Sequence, residues 1–397
     1  MKRTSPEQGK KGRRFTFRDL ILSSLLSILL GMGLTIGVLF TRLDENGLSV
    51  IQALTVVRGQ FVGEYEWNEV VDDTLNTMVT SLGDRWSYYL TPKEYEQILQ
   101  TRTNSYTGIG VTISQDVGNS IVILSVAKDS PAEEVGIKAG DAILSVEGVR
   151  VTKENWTECV DLIRGEEGTP VNLIIKEEAG GPRPVEVMRK EILSIPAEHL
   201  MLDNQIGLIR LRNFYSGSGA ALIAAVDTLA GEGAKAIIFD LRDNPGGYVT
   251  ELTKMLDHLL PEGNIFISRT LDGEETVYTS DENRVNLPFA VIVNGDSYSA
   301  AEFFAAELRE SVGATVIGEV TSGKGYAQQL FPLQNGSAIG LSTSRYFTGA
   351  GVSLIGKGIT PDVELSLSEE QRKLQLQEKL PHEEDPQLQA AISAMSK

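Results

Sequence analysis

Two residues have the types and surroundings that could do chemistry. Ser299 opens an alanine-rich run, "SAAEFFAAELRESV", and Lys324 lies between glycines in "GEVTSGKGYAQQ". Taken alone, each has a plain structural explanation. Ser299-Ala-Ala-Glu302 is the S-x-x-E capping box, in which a serine holds a free amide at a helix start. Lys324 would suit an exposed hairpin. A second chemistry is suggested by Gly318 to Lys324, which spells G-x4-G-K, the outline of a phosphate-binding loop. There, however, Gly325 stands where a magnesium-binding Ser/Thr belongs, and "GYAQQLFPL" reads as an extended segment rather than a helix.

Together the two residues point to acyl transfer. A serine is a poor nucleophile until a neighbouring base takes its proton. The histidines, His199, His258 and His382, are scattered, and no G-x-S-x-G elbow exists. Lysine can stand in for histidine. It must then be neutral, so its pKa has to fall from about 10.4 towards 7, a shift that burial can supply at about 3–5 units. The reaction also needs backbone amides for the developing oxyanion. Ala300, after the serine, offers one. The turn "DLRDNPGG" offers another from Gly246 or Gly247, where glycine lets backbone approach a substrate; the sequence prefers neither.

The elements around these residues fall into several stretches. Residues 1–18 are basic, and Leu20 to Phe40 runs without a charge, long enough for a transmembrane helix. The cations before it predict that the rest of the chain lies outside the cytoplasm, and the length of the run, with no A-x-A site after it, predicts an uncleaved signal-anchor. Residues 41–104 read as helices around an aromatic turn, "SLGDRWSYYLTP". Residues 105–192 form a small β-rich module interrupted by one helix, 154–164, with Trp156, Val160 and Ile163 on its apolar face. Residues 193–365 alternate strands and helices, the pattern of a layered α/β (α+β) core. Residues 366–397 are a charged, helix-prone tail. The net charge of −18 argues against nucleic acid or an anionic lipid surface as partner. Cys159 is the single cysteine, which excludes an internal disulfide, and with the histidines so few no metal cluster of normal spacing can form.

From about residue 50 to 365 the chain resembles the C-terminal processing peptidases, or tail-specific proteases. The resemblance rests on "SLGDRWSYYLTP", "DLRDNPGG", "SYSAAEFFA" and "GEVTSGKGYAQQ" occurring in that family's order. It implies Ser299 as nucleophile, Lys324 as general base and Gln328 in support of the lysine. It further implies oxyanion amides from Ala300 and the Gly246-Gly247 turn. Tyr298 departs from the small residue common before the nucleophile and would narrow the neighbouring pocket. The middle module looks like an inserted PDZ domain. Its Gly108-Ile109-Gly110-Val111 loop would bind a terminal carboxylate, helix 154–164 would close the groove, and Arg164 at the domain junction would link tail binding to catalysis. No metal or cofactor is implied. Expected partners are proteins or peptides with free C-terminal tails, and the helical ends offer surfaces for a homodimer. The rival reading is a catalytically silent PDZ adaptor of the cell envelope.

Overall fold

The computed structural model describes residues 44–115, 119–177 and 180–396, together with Ser24. Apart from Ser24, the apolar run expected to span a membrane lies outside the described residues, among which no helix is long and apolar enough to cross one. The chain divides into two units, Met1–Thr74 and Leu75–Lys397. The first contains α1 (Glu45–Gln60), started by Asp44, whose side chain accepts from the Gly47 amide at 2.8 Å. Helix α2 (Trp67–Thr80) crosses the boundary.

In the second unit the aromatic turn runs into β1 (Tyr88–Leu90). Helix α3 (Pro92–Thr101) follows, with Pro92 in its first turn and a Thr91–Glu94 capping box. The chain then enters the β-rich module through β2 (Ser105–Gly108) and leaves it through β9 (Lys190–Leu193). These two strands pair with each other, Ser105 opposite Leu193 and Gly108 opposite Lys190. Entry and exit side by side make the module an insertion. Between them lie β3 (Val111–Gln115), β4 (Ile121–Val126), α4 (Pro131–Glu134), β5 (Ala142–Val146), β6 (Val149–Arg150), α5 (Trp156–Ile163), β7 (Pro170–Lys176) and β8 (Pro182–Met188). The sheet order is β3-β4-β5-β7-β8, so β3 is an edge strand. The module has its own core around Ile121, Ile143, Val171 and the buried Cys159.

The larger core is built on a sheet ordered β10-β11-β12-β15-β16-β19. Strand β10 (Ala197–Leu202) is antiparallel to β11 (Ile206–Leu211), and the rest are parallel. Helix α6 (Ser218–Gly231) crosses from β11 to β12 (Ala236–Asp240). Strands β12 and β15 (Phe289–Val293) are buried at every residue, which is why "AIIFD" and "FAVIV" are unbroken rather than alternating. Between them come α7 (Val249–Leu259), β13 (Gly263–Thr270) and β14 (Glu275–Ser280). Helix α8 (Ala300–Val312) then leads to β16 (Thr315–Gly318). A second sheet joins β1, β13 and β14 to the hairpin of β17 (Tyr326–Pro332) and β18 (Ala338–Phe347). One continuous core includes Phe214, Phe239, Phe303 and Phe304, with edge-to-face contacts at 5.2 Å between Phe239 and Phe304 and 5.3 Å between Phe266 and Phe303.

After β19 (Val363–Glu364), the charged C-terminal segment forms α9 (Glu369–Leu376) and α10 (Pro386–Met395). Leu388 and Ala391 of α10 are buried against Ile238, Ala290 and Ile292 on the far face of the parallel sheet. Few apolar residues do this, because one helix face is enough to cover that patch.

Truncating Phe304 to alanine should destabilise the core by about 3–5 kcal/mol through lost burial and the cavity left behind. Urea unfolding followed by tyrosine and tryptophan fluorescence measures this.

Candidate active site

Strands β12 and β15 are parallel neighbours, with Asp240 opposite Ile292, so their carboxyl ends lie side by side. That end of an open parallel sheet is where ligands are usually received. The "DLRDNPGG" turn leaves β12 there, and the "NGDSYS" loop leaves β15 towards α8. The two segments nearly touch. Gly246 has φ 77°, and a Cβ on it would stand 2.8 Å from the Ala300 nitrogen and 2.9 Å from the Ser299 Cβ. Only glycine permits that approach. Its own N–H donates to Asn244 Oδ1 at 2.8 Å. The N–H groups of Gly247 and Ala300 have no protein acceptor among the described residues, and Gly247 lines the cavity beside Ser299. Of the two glycines, therefore, Gly247 has the amide to offer.

Ser299 sits at φ 59°, ψ −125°, where a residue with a side chain is strained. Its N–H donates to Glu302 Oε2 at 2.9 Å, and the Glu302 N–H donates to the Ser299 carbonyl at 2.9 Å. The return half of the expected capping box is thus present. Glu302 reaches further than a cap. Fully buried, it also accepts from Thr321 Oγ1 at 2.5 Å, from the Gly323 N–H at 2.8 Å and from the Lys324 N–H at 2.8 Å. One carboxylate therefore fixes the backbone at Ser299 and the backbone at Lys324. These bonds also dispose of the phosphate-loop reading, because the Gly323 and Lys324 amides are already taken and a strand, β17, follows the lysine.

Ser299 and Lys324 line one cavity of about 570 Å³, together with Tyr88, Arg102, Tyr248 and Gln328. No hydrogen bond joins Ser299 Oγ to Lys324 Nζ among the described residues. The ammonium instead lies over the Trp86 ring at 4.9 Å and the Tyr298 ring at 5.2 Å. Burial pulls its pKa down to about 8, Arg102 adds to the fall, and Glu302 and Asp84 oppose it. Tyr298, expected to narrow the pocket, does so as one wall of this aromatic clasp. The Gln328 side chain shares the cavity, but its amide donates to the Tyr326 carbonyl at 3.1 Å and to Ser342 Oγ at 3.3 Å, not to the lysine.

The aromatic turn contributes side chains that sequence reasoning had left as packing. Trp86 forms the second wall over Lys324, and Arg85 donates to the Ser322 carbonyl at 2.8 Å, tying the turn to the lysine loop. Their signal was the density of Trp and Tyr beside charged residues in "GDRWSYY", rare for a plain connection.

In the inserted module, Gly108 ends β2 and Val111 begins β3. Between them Ile109 is buried, and its carbonyl accepts from Ala132 N–H at 2.9 Å. Gly110, at φ 82°, packs where a Cβ would stand 2.3 Å from Ser130 Cβ. Arg164 caps α5, the helix expected over 154–164, and lines a separate cavity of about 300 Å³ with Tyr106, Lys93 and Asp161. It is exposed and lies outside the Ser299 cavity. The buried arginine at the end of α5 is Arg189, which donates to the Leu162 carbonyl at 2.7 Å and the Ile163 carbonyl at 3.1 Å.

Replacing Arg102 with glutamine should raise the Lys324 pKa above 8, since the nearby guanidinium helps to hold it down. NMR titration of lysine-labelled protein, assigned with Lys324→Met, reads the shift. Glu302→Ala should cost at least about 3 kcal/mol by leaving buried donors without an acceptor, measured as a lowered unfolding midpoint.

With this geometry in place, likeness to known proteins can be set beside it. Residues 205–365 match peptidase family S41, and residues 122–177 match the PDZ domain. The carboxy-terminal processing protease CtpA of Bacillus subtilis is 34% identical over 321 residues, which is 80% of this chain and 68% of that protein. A carboxy-terminal-processing protease of Bartonella bacilliformis is 30% identical over 316 residues, covering 77% of this chain and 72% of its own. A solved S41 protease structure from Bacteroides fragilis has the same fold at 19% identity, with a TM-score of 0.58 over 86% of this chain and 96% of its own. The mixed α/β core, the inserted module and the matches to relatives agree: the chain belongs to peptidase family S41, as a C-terminal processing serine protease with a PDZ domain.

Proposed function

We propose that this protein is a membrane-anchored, exported endopeptidase that cleaves with a Ser299–Lys324 dyad and chooses substrates by their C-terminal tails. The observation that carries the reading is that Ser299 and a half-buried Lys324 with its pKa near 8 line one cavity. At pH 7 such a lysine is neutral in roughly a tenth of molecules. Neutral Lys324 takes the Ser299 hydroxyl proton as Oγ attacks the scissile carbonyl. The Gly247 and Ala300 amides face the oxyanion. The tetrahedral intermediate expels the amine, which leaves with the proton held by Lys324. Water then attacks the acyl-enzyme, giving its proton to the same lysine, which passes it to Ser299 Oγ as the ester bond breaks, so that the acid product, the serine hydroxyl and neutral Lys324 are restored. Ser299 and Lys324 share one cavity, and catalytic hydrogen bonds that are absent without substrate commonly tighten when it binds. Gln328 would hold the lysine once it has turned.

The tail would be gripped by the Gly108–Val111 loop, with the peptide adding a strand to the open edge at β3. Arg164, on the cavity between α3, β2 and α5, would report that binding to the core. The uncharged run 20–40 and the cations before it support the anchor and the external location. Pairing of two copies through the helical ends belongs to the same proposal.

Ser299→Ala should abolish turnover while leaving the fold intact, and Lys324→Arg should abolish it too, because arginine cannot be a neutral base. The test is to incubate residues 41–397 with unfolded proteins differing only in their last residues and to map cuts by mass spectrometry. Tail-dependent cleavage by wild type alone is expected. Tail binding without any cleavage would turn the reading to a silent adaptor.

A further inference from the structure

The charged C-terminal segment reaches both halves of the site from behind. Arg372 of α9 donates through Nη1 to Asp243 Oδ2 at 2.9 Å and through Nη2 to Asp243 Oδ1. The same Nη2 donates to Asp296 Oδ2 at 3.0 Å. Asp243 belongs to the turn that presents Gly246 and Gly247; Asp296 lies in the loop that delivers Ser299. Asn294 crosses between the same two segments, donating from Nδ2 to Asp243 Oδ1 at 3.0 Å and accepting the Asp243 N–H at 3.0 Å. Gln375, buried, donates to Asp243 Oδ2 at 3.0 Å and accepts from Arg372 at 2.5 Å.

Asp243 holds φ 62°, in the left-handed region that aspartate enters more readily than most residues with a side chain. Burial alone would raise its carboxyl pKa, but hydrogen bonds from Arg372, Asn294 and Gln375 bring it down to about 2. The C-terminal segment is held at a second point. Arg242, next to Asp243, is buried and donates to Asp385 Oδ2 at 2.8 Å and Gln387 Oε1 at 3.1 Å at the start of α10.

We propose that Arg372 is a positioning residue of the peptidase: its guanidinium clamps the oxyanion turn at Asp243 to the nucleophile loop at Asp296, and thereby sets the distance between Ser299 and the Gly247 amide. The clamp rests on the reading of Ser299 as nucleophile. A rigid, planar, bidentate group suits this task where lysine would not. A misplacement of about 1 Å between reacting groups costs on the order of 100-fold in rate, so a contact remote from the substrate acts on kcat and leaves substrate binding alone.

The experiment measures kcat and KM for wild type, Ser299→Ala, Arg372→Ala, Asp296→Asn and the double variant on one peptide substrate. Arg372→Ala should lower kcat about 10–100-fold with KM within about twofold. Guanidinium ion in the buffer should restore about tenfold of that loss, which a general loss of folding would not allow. Asp296→Asn, at an exposed carboxylate, should lower kcat several-fold, and the double variant should be no worse than Arg372→Ala alone. If Arg372→Ala does not fold, Asp296→Asn decides by the same kcat readout. Wild-type kcat in the variants, or no response to guanidinium, overturns the clamp while leaving Ser299 as nucleophile. Turnover retained by Ser299→Ala would instead overturn the reading of the site, and the clamp with it.

Discussion

The Glu302 carboxylate is the contact on which the site depends. It is fully buried and takes donors from Ser299, Thr321, Gly323 and Lys324. A carboxylate in an apolar helix would be costly without such donors. With them it becomes a fixed point between two segments that are far apart in sequence. The strained backbone at Ser299 and the tight glycines around Lys324 are then consequences. Each segment must bend sharply to bring an amide to the same pair of oxygens. Gly323 shows the constraint from the other side: at φ 75° it packs so closely on the 356–358 backbone that a Cβ would stand 2.9 Å from the Lys357 nitrogen.

Around that point three layers contribute unequal things. The parallel sheet supplies position, because two neighbouring strands ending together bring the glycine turn to the helix start without any long side chain. The aromatic turn supplies environment. Trp86 and Tyr298 stand over the Lys324 ammonium, and burial lowers its pKa to about 8. The C-terminal helices supply support from below, through Arg242–Asp385 and Arg372–Asp243. The PDZ domain is entered and left through one paired ribbon, and Lys93 of α3 pairs with Asp161 of its helix α5.

Much of this was legible in the sequence, for physical reasons. The buried parallel strands announce themselves as unbroken apolar runs, and the S-x-x-E box and the glycine turn mark where α8 starts and where backbone must come close. Strands β9, β10 and β14 are edge or ribbon strands whose mixed faces carry little periodicity, whereas β8, also at a sheet edge, alternates buried Val185 and Val187 with exposed neighbours. "ETVYTS" is short and mostly exposed, so no apolar face marks it as a strand. Glu302 was read as a local cap because only folding brings Thr321 and Gly323 to it. Gln328, four residues after Lys324, sits past an irregularity at Ala327–Gln328 in β17, and its amide donates to Tyr326 and Ser342, an arrangement that spacing alone does not convey. Arg372 and Gln375 lie in the charged, helix-prone tail, and nothing local distinguishes them from the charges beside them.

The central claim is that Lys324, acting neutral, activates Ser299. The most direct measurement is the rate at which a fluorophosphonate modifies the protein across pH 5 to 10, with the modified residue identified by peptide mapping. The account predicts modification at Ser299, with a rate that rises through a midpoint near pH 8 and collapses in Lys324→Met. A rate independent of pH, or one that survives loss of Lys324, would contradict it.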